Sequence, residues 1–206
     1  MREFNGEQMP GNMSHPGVLI DSVWTRDGLA RDVTLVIGGS LVIAAAAQLL
    51  FFLPFTPVPV TGQTFAVLLI GALFGARRGA AAAMSYLALG VMGLPVFSAA
   101  PPGPAAMVSP TAGYLAGFVA AAWVTGSLSE RGWDRRPATA ALAMAIGSGV
   151  LFACGLLWLG RFTGWNNVLQ TGLFPFIPGD LLKIALATAL LPAGWKFLGR
   201  RSGSQA

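Results

Sequence analysis

Long uncharged stretches separated by short arginine clusters set the layout of this chain. No Asp, Glu, Lys or Arg occurs over residues 33–76 or 79–129, and shorter uncharged stretches run over 137–160 and 162–179. A hydrocarbon core about 30 Å thick is crossed by about 20 helical residues. Each of the first two stretches exceeds one crossing and has to fold back. Within lipid the backbone must satisfy its own hydrogen bonds, so Gly, Pro and charge clusters mark the breaks between helices. The pattern predicts an all-α membrane bundle of six transmembrane helices over 33–53, 63–76, 79–93, 111–129, 138–159 and 179–198. The second and third are short, which calls for thinned lipid or extension into their loops. Residues 1–32 carry both signs of charge without a long apolar run. They read as a polar N-terminal tail, not a secretory signal peptide. Residues 33–199 then form the membrane domain and 200–206 a second tail.

Charge orients the bundle. Arg2, Arg26 and Arg31 precede the first span, and Arg77 and Arg78 join the second and third. Arg131, Arg135 and Arg136 join the fourth and fifth, and Lys196, Arg200 and Arg201 end the chain. With six spans all of these fall on one side, while the opposite loops hold only Arg161. By the positive-inside rule both termini are therefore cytoplasmic. Composition agrees: 10% of residues are charged and 54% hydrophobic, against about 25% charged in soluble proteins. So few charges cannot cover a soluble domain, and so apolar a chain is not disordered. The expected setting is the lipid bilayer of the plasma membrane, crossed several times. The net charge of +5 does not indicate nucleic acid, because the basic residues sit in loop clusters between apolar runs.

Several chemistries are excluded. Neither Lys183 nor Lys196 stands in a Gly-x-x-x-x-Gly-Lys-[Ser/Thr] loop, so the chain is not its own P-loop ATPase. The single His15 lies in the polar tail, and the single Cys154 in an apolar stretch. No metal site, cofactor site or nucleophile–base set is expected, and the chain does not read as an enzyme. The positive features lie on the side without arginines. There the loops Pro54-Phe55-Thr56-Pro57-Val58-Pro59-Val60 and 94–104 are proline-rich and uncharged. Such loops can fold over the helix ends and close a pocket, or act as plain stiff connectors.

Asp180 and Lys183, in Pro178-Gly179-Asp180-Leu181-Leu182-Lys183, are the charges of the outer part of the last span. Spaced i, i+3, they share a helix face. Charges within a span are costly and mark function by default. The competing reading is structural: Asp180 caps the helix and Lys183 neutralises it. Thr61, Gln63, Thr64, Thr111, Tyr114, Asn166 and Asn167 add neutral hydrogen-bonding groups near the same side, and Tyr86 lies mid-span. The arrangement suits a small ligand carrying N–H donors and a carboxylate.

Four segments together resemble a known family. Pro54-Phe55-Thr56-Pro57-Val58-Pro59-Val60-Thr61-Gly62-Gln63-Thr64-Phe65 and Gly90-Val91-Met92-Gly93-Leu94-Pro95-Val96-Phe97 are the first two. Ser109-Pro110-Thr111-Ala112-Gly113-Tyr114-Leu115-Ala116-Gly117-Phe118 and Phe174-Pro175-Phe176-Ile177-Pro178-Gly179-Asp180-Leu181-Leu182-Lys183 are the others. In order and spacing they resemble BioY, the biotin-binding S component of energy-coupling factor (ECF) transporters. The resemblance implies six helices and a biotin pocket near the outer face. It also implies partners: a transmembrane coupling protein and two ATP-binding cassette ATPases, which agrees with the missing P-loop. Carried over residue by residue, Asp180 is expected to accept from a ureido N–H and Lys183 to serve a ligand oxygen. Gln63, Tyr86, Phe97, Thr111 and Tyr114 follow from their motif positions. The chain departs from the family pattern where Ser98-Ala99-Ala100 replaces Ala-Gly-Gly, and where Ser109 and Ala112 replace glycines. Glycine permits backbone that Ala and Ser resist, so the loop before the fourth span is expected to take its own path. The alternative function is a self-sufficient, ion-coupled secondary transporter of biotin or a related small carboxylate, with Asp180 as the proton or Na⁺ site.

Overall fold

The computed structural model describes residues 17–24, 28–98 and 101–203. Arg2, His15 and Arg26 lie outside these ranges, as do Ala99 and Ala100. Eight helices follow in order: α1 (Leu19–Val23), α2 (Leu29–Ala47), α3 (Gln63–Phe74), α4 (Ala76–Val91), α5 (Ala112–Glu130), α6 (Pro137–Thr163), α7 (Val168–Gly172) and α8 (Ile177–Gly203). Between α2 and α3 the chain forms a two-residue antiparallel ladder, β1 (Leu50–Phe51) with β2 (Val60–Thr61). Short 3₁₀ turns cover Pro104–Val108, Trp133–Arg135 and Phe174–Phe176. The chain is thus all-α, with a small hairpin.

The six longer helices coincide with the six predicted segments, with shifted ends. The first begins at Leu29, not residue 33, and stops at Ala47, because the chain turns there into the β1–β2 hairpin. The last two are longer than expected: α6 reaches Thr163, and α8 runs from Ile177 through Pro192 to Gly203. Proline removes one intrahelical donor but does not end this helix. Part of the expected N-terminal tail is also folded: Val18 is buried, and Asp21 of α1 pairs with Arg31 and Arg78 at 2.6 Å each. Five residues of helix carry too little periodicity to be read from sequence.

α2, α5, α6 and the stretch Val168–Leu198 are long and apolar enough to cross a membrane. α3, with 12 residues, is not. It is the enclosed helix, packed against α2, α4, α5, α6 and α8, while those five follow one another around it. Its Ala66, Val67, Leu68, Ile70 and Ala72 are buried, with Ile43 of α2, Tyr86 of α4, Phe118 of α5 and Leu151 of α6. Small residues permit this close packing. A Cβ on Gly71 of α3 would lie 2.6 Å from the Ala122 carbonyl oxygen of α5. The turn from α3 to α4 is a single glycine, Gly75, at φ 87°, a conformation that costs other residues. Glu130 at the end of α5 accepts the Ala76 N–H there at 2.9 Å, capping α4. By contrast the outward faces of α2, α6 and α8 expose Leu41, Val42, Leu157, Leu182 and Leu190, the surface a lipid-embedded bundle presents.

Arg31, Arg77, Arg78 and Arg131 gather at one end. Arg31 and Arg78 are tied by Asp21, Arg78 is also tied to Asp32 at 2.7 Å, and Arg77 and Arg131 line the same cleft. Arg161 stands apart from that cleft, over the Trp158 ring at 4.9 Å, and Trp158 donates to the Ser109 carbonyl at 2.8 Å. A cavity lies on that second side.

Candidate binding site

A cavity of about 50 Å³ sits where the hairpin, the start of α3 and the outer parts of α5, α6 and α8 converge. Val58, Pro59, Leu115, Phe118, Leu151, Phe152 and Phe176 supply its apolar wall. Of the residues nominated from sequence, Gln63, Thr111, Tyr114, Asp180 and Lys183 line it. A single water needs roughly 10–15 Å³ of such space. The cavity holds a few waters, and a vitamin-sized ligand requires its walls to part.

Asp180 and Lys183 arrive together because they lie one turn apart on α8. Their side chains then diverge. Asp180 Oδ1 accepts from Ser148 Oγ of α6 at 3.1 Å. Lys183 Nζ donates to the Thr61 carbonyl and to Thr64 Oγ1, both at 2.7 Å. No ion pair joins the two among the described residues. Nor does Asp180 cap its own helix: its hydrogen bond goes to a neighbouring helix. The cavity therefore offers an acceptor side backed by α6 and a donor side at the start of α3, both within half-buried surroundings.

Gln63 is held by a network. Its Oε1 accepts from Thr61 Oγ1 at 3.0 Å and from Ser98 Oγ at 2.8 Å. Its Nε2 donates to the Tyr86 hydroxyl, which donates to the Val96 carbonyl at 3.2 Å. Tyr86 and Phe97 do not line the cavity. They stand behind Gln63, with Tyr86 fully buried and its ring edge-on to Phe97 at 5.4 Å. Tyr114 presents its ring to the cavity, and its hydroxyl donates to the Gly172 carbonyl of α7 at 2.7 Å. Thr111 shares a hydrogen bond with Ser109 at 2.9 Å. Asn166 and Asn167 are exposed and do not line the cavity.

Ser148 and Ser98 escaped the sequence reading. The signal for Ser148 was present: it is a hydroxyl in the middle of an otherwise apolar span, where a polar group needs a partner. Ser98 carried a different signal, the departure from the family's alanine.

A short helix enclosed by longer ones, with a mostly apolar cavity at the end away from the arginine cleft, is the architecture of a membrane helix bundle with an internal pocket. A solved structure described as the S-component for biotin from an ECF-type ABC transporter has this fold. It matches with a TM-score of 0.67 at 22% identity, covering 83% of this chain and 95% of that one. The chain belongs to the BioY family, whose pattern it matches over residues 13–200. It is 37% identical to the biotin transporter BioY of Rhizobium etli over 78% of this chain and 90% of that protein. It is 34% identical to the probable biotin transporter BioY of Pyrococcus horikoshii, over 78% and 94%. The chain is accordingly a multi-pass plasma-membrane protein of a transport family, not of an enzyme family.

Proposed function

We propose that this chain captures biotin from the outer face of the membrane and holds it in the cavity between α3, α5, α6 and α8. The observation that carries the reading is the divergence of Asp180 and Lys183. Two opposite charges on one helix face line one mostly apolar cavity, each hydrogen-bonded to a different neighbouring element and not to the other. Leaving them so is costly unless a ligand uses both. Biotin's cyclic urea offers an N–H to Asp180 and an oxygen to the donors at the start of α3, and its fused ring suits the aromatic wall. The names of the curated relatives support the choice of biotin.

The sequence carries no P-loop with which to hydrolyse ATP itself. The S-component fold favours release driven by a transmembrane coupling protein and two ABC-type ATPases at the arginine-rich end. Six crossings with both termini cytoplasmic belong to the same reading. Calorimetric titration of the detergent-purified chain, with riboflavin and thiamine as controls, tests it. Saturable binding of biotin alone, near one per chain, is expected. No heat from ligand-free protein would overturn the assignment. Gradient-dependent uptake by vesicles containing this chain alone would instead make it a self-sufficient secondary transporter.

A further inference from the structure

Resting on the biotin reading, we infer that Ser98 is a positioning residue that turns Gln63 into a donor-only reader of a ligand oxygen. Tyr86 has one hydroxyl proton, and it is committed to the Val96 carbonyl. Its oxygen can therefore only accept from Gln63, so the amide nitrogen of Gln63 faces it. The other end of the carboxamide agrees. Oε1 takes protons from Thr61 and Ser98, which occupies both of its lone-pair directions. A carboxamide carries two N–H groups, and one is spent on Tyr86. The second has no partner among the described residues, on a side chain that lines the cavity.

Lys183 reinforces the same side. Its ammonium has three protons, two of them spent on Thr61 and Thr64 of the turn that carries Gln63. One ammonium proton and one amide proton thus remain for the ligand at the start of α3. Together they fit an oxygen acceptor, and a ligand without one leaves both buried donors unpaired. The Ser98 hydroxyl supplies the second proton to Oε1, beside that of Thr61, and completes the set of contacts that holds the carboxamide this way round. Alanine at this position could not donate to Oε1. Without that proton Oε1 keeps the single donor Thr61, and the carboxamide is held less firmly with its N–H available to the ligand.

A double-mutant cycle on the full purified chain, read by biotin titration, tests this. Ser98→Ala is expected to weaken biotin binding about tenfold, while Ser98→Thr, which keeps the hydroxyl, binds like the wild type. In a Gln63→Ala background, Ser98→Ala should cause no further loss, because Ser98 acts through Gln63. Gln63→Glu, which has the same shape but no N–H, should bind as poorly as Gln63→Ala. If Ser98→Ala does not fold, Ser98→Cys, similar in size but a poor donor, takes its place. Additive losses from Ser98→Ala and Gln63→Ala, or wild-type affinity in Ser98→Ala, would overturn the inference. A wild-type chain that takes up no biotin would instead remove the reading beneath it.

Discussion

At the scale of single residues, the site depends on charges that the protein itself leaves half-satisfied. Asp180 has one hydrogen bond from Ser148 at 3.1 Å, and Lys183 has two from the start of α3. Asp180→Asn and Lys183→Ala are each expected to weaken biotin binding more than tenfold, since a ligand group left without its buried partner costs about 1–3 kcal/mol. Both proteins should still fold and insert, because neither side chain caps its helix or closes an ion pair. Titration with biotin, alongside thermal unfolding without ligand, separates the two effects. Unchanged affinity in both variants would leave Asp180 and Lys183 a structural role only. The spacing of this pair was legible in the sequence. The divergence of the two side chains was not, because it depends on Ser148 of α6 and Thr61 before α3, which are distant in the chain.

At the scale of elements, the connection between α5 and α6 grips the far end of α8. Asp134, buried in the 3₁₀ turn Trp133–Arg135, accepts from Trp195 Nε1 at 2.6 Å. The Arg135 guanidinium lies over the Trp195 ring at 4.5 Å. Burial pushes the Asp134 carboxyl above its ordinary value, against the opposing pull of the Trp195 hydrogen bond. A raised carboxyl pKa means that the folded state favours the protonated form. Its contribution to stability is present below the unfolded-state pKa and is lost as pH rises through the folded value. At neutral pH the buried carboxylate is therefore a burden, and Oδ1 has no hydrogen-bond partner among the described residues. Asp134→Asn keeps an oxygen for Trp195 and removes the charge. It should be at least as thermally stable as the wild type at pH 7.5, with the advantage shrinking as pH falls toward 4. A variant uniformly less stable across that range would refute this account. None of it was legible beforehand: a lone aspartate in an arginine-rich loop reads as solvated until α8 packs over it.

At the scale of the whole molecule, the arginine clusters collect at one end and the cavity lies at the other. On the proposed six crossings the clusters fall on the cytoplasmic side. The chain has one cysteine, Cys154, so a Cys154→Ser background allows single cysteines to report sidedness. Cysteines replacing Arg77 and Arg136 should react with a membrane-impermeant maleimide only from the inside, and one replacing Asn166 only from the outside. Labelling of Asn166→Cys and Arg136→Cys from the same side would contradict six crossings.

The class of the molecule, the approximate limits of its six long helices and the identity of its charged pair came from the chain alone. Each is a property of local pattern: apolar length against bilayer thickness, loop charge, and helical spacing. Only the tertiary structure decided that α3 is the enclosed helix and that residues 17–23 fold onto the bundle. It also decided that Tyr86 and Phe97 stand behind Gln63 while Ser98 and Ser148 hydrogen-bond Gln63 and Asp180. The physical reason is that a hydrogen bond or a close helix contact is made between residues far apart in sequence. Nothing in the period of either segment records which partner the other will bring.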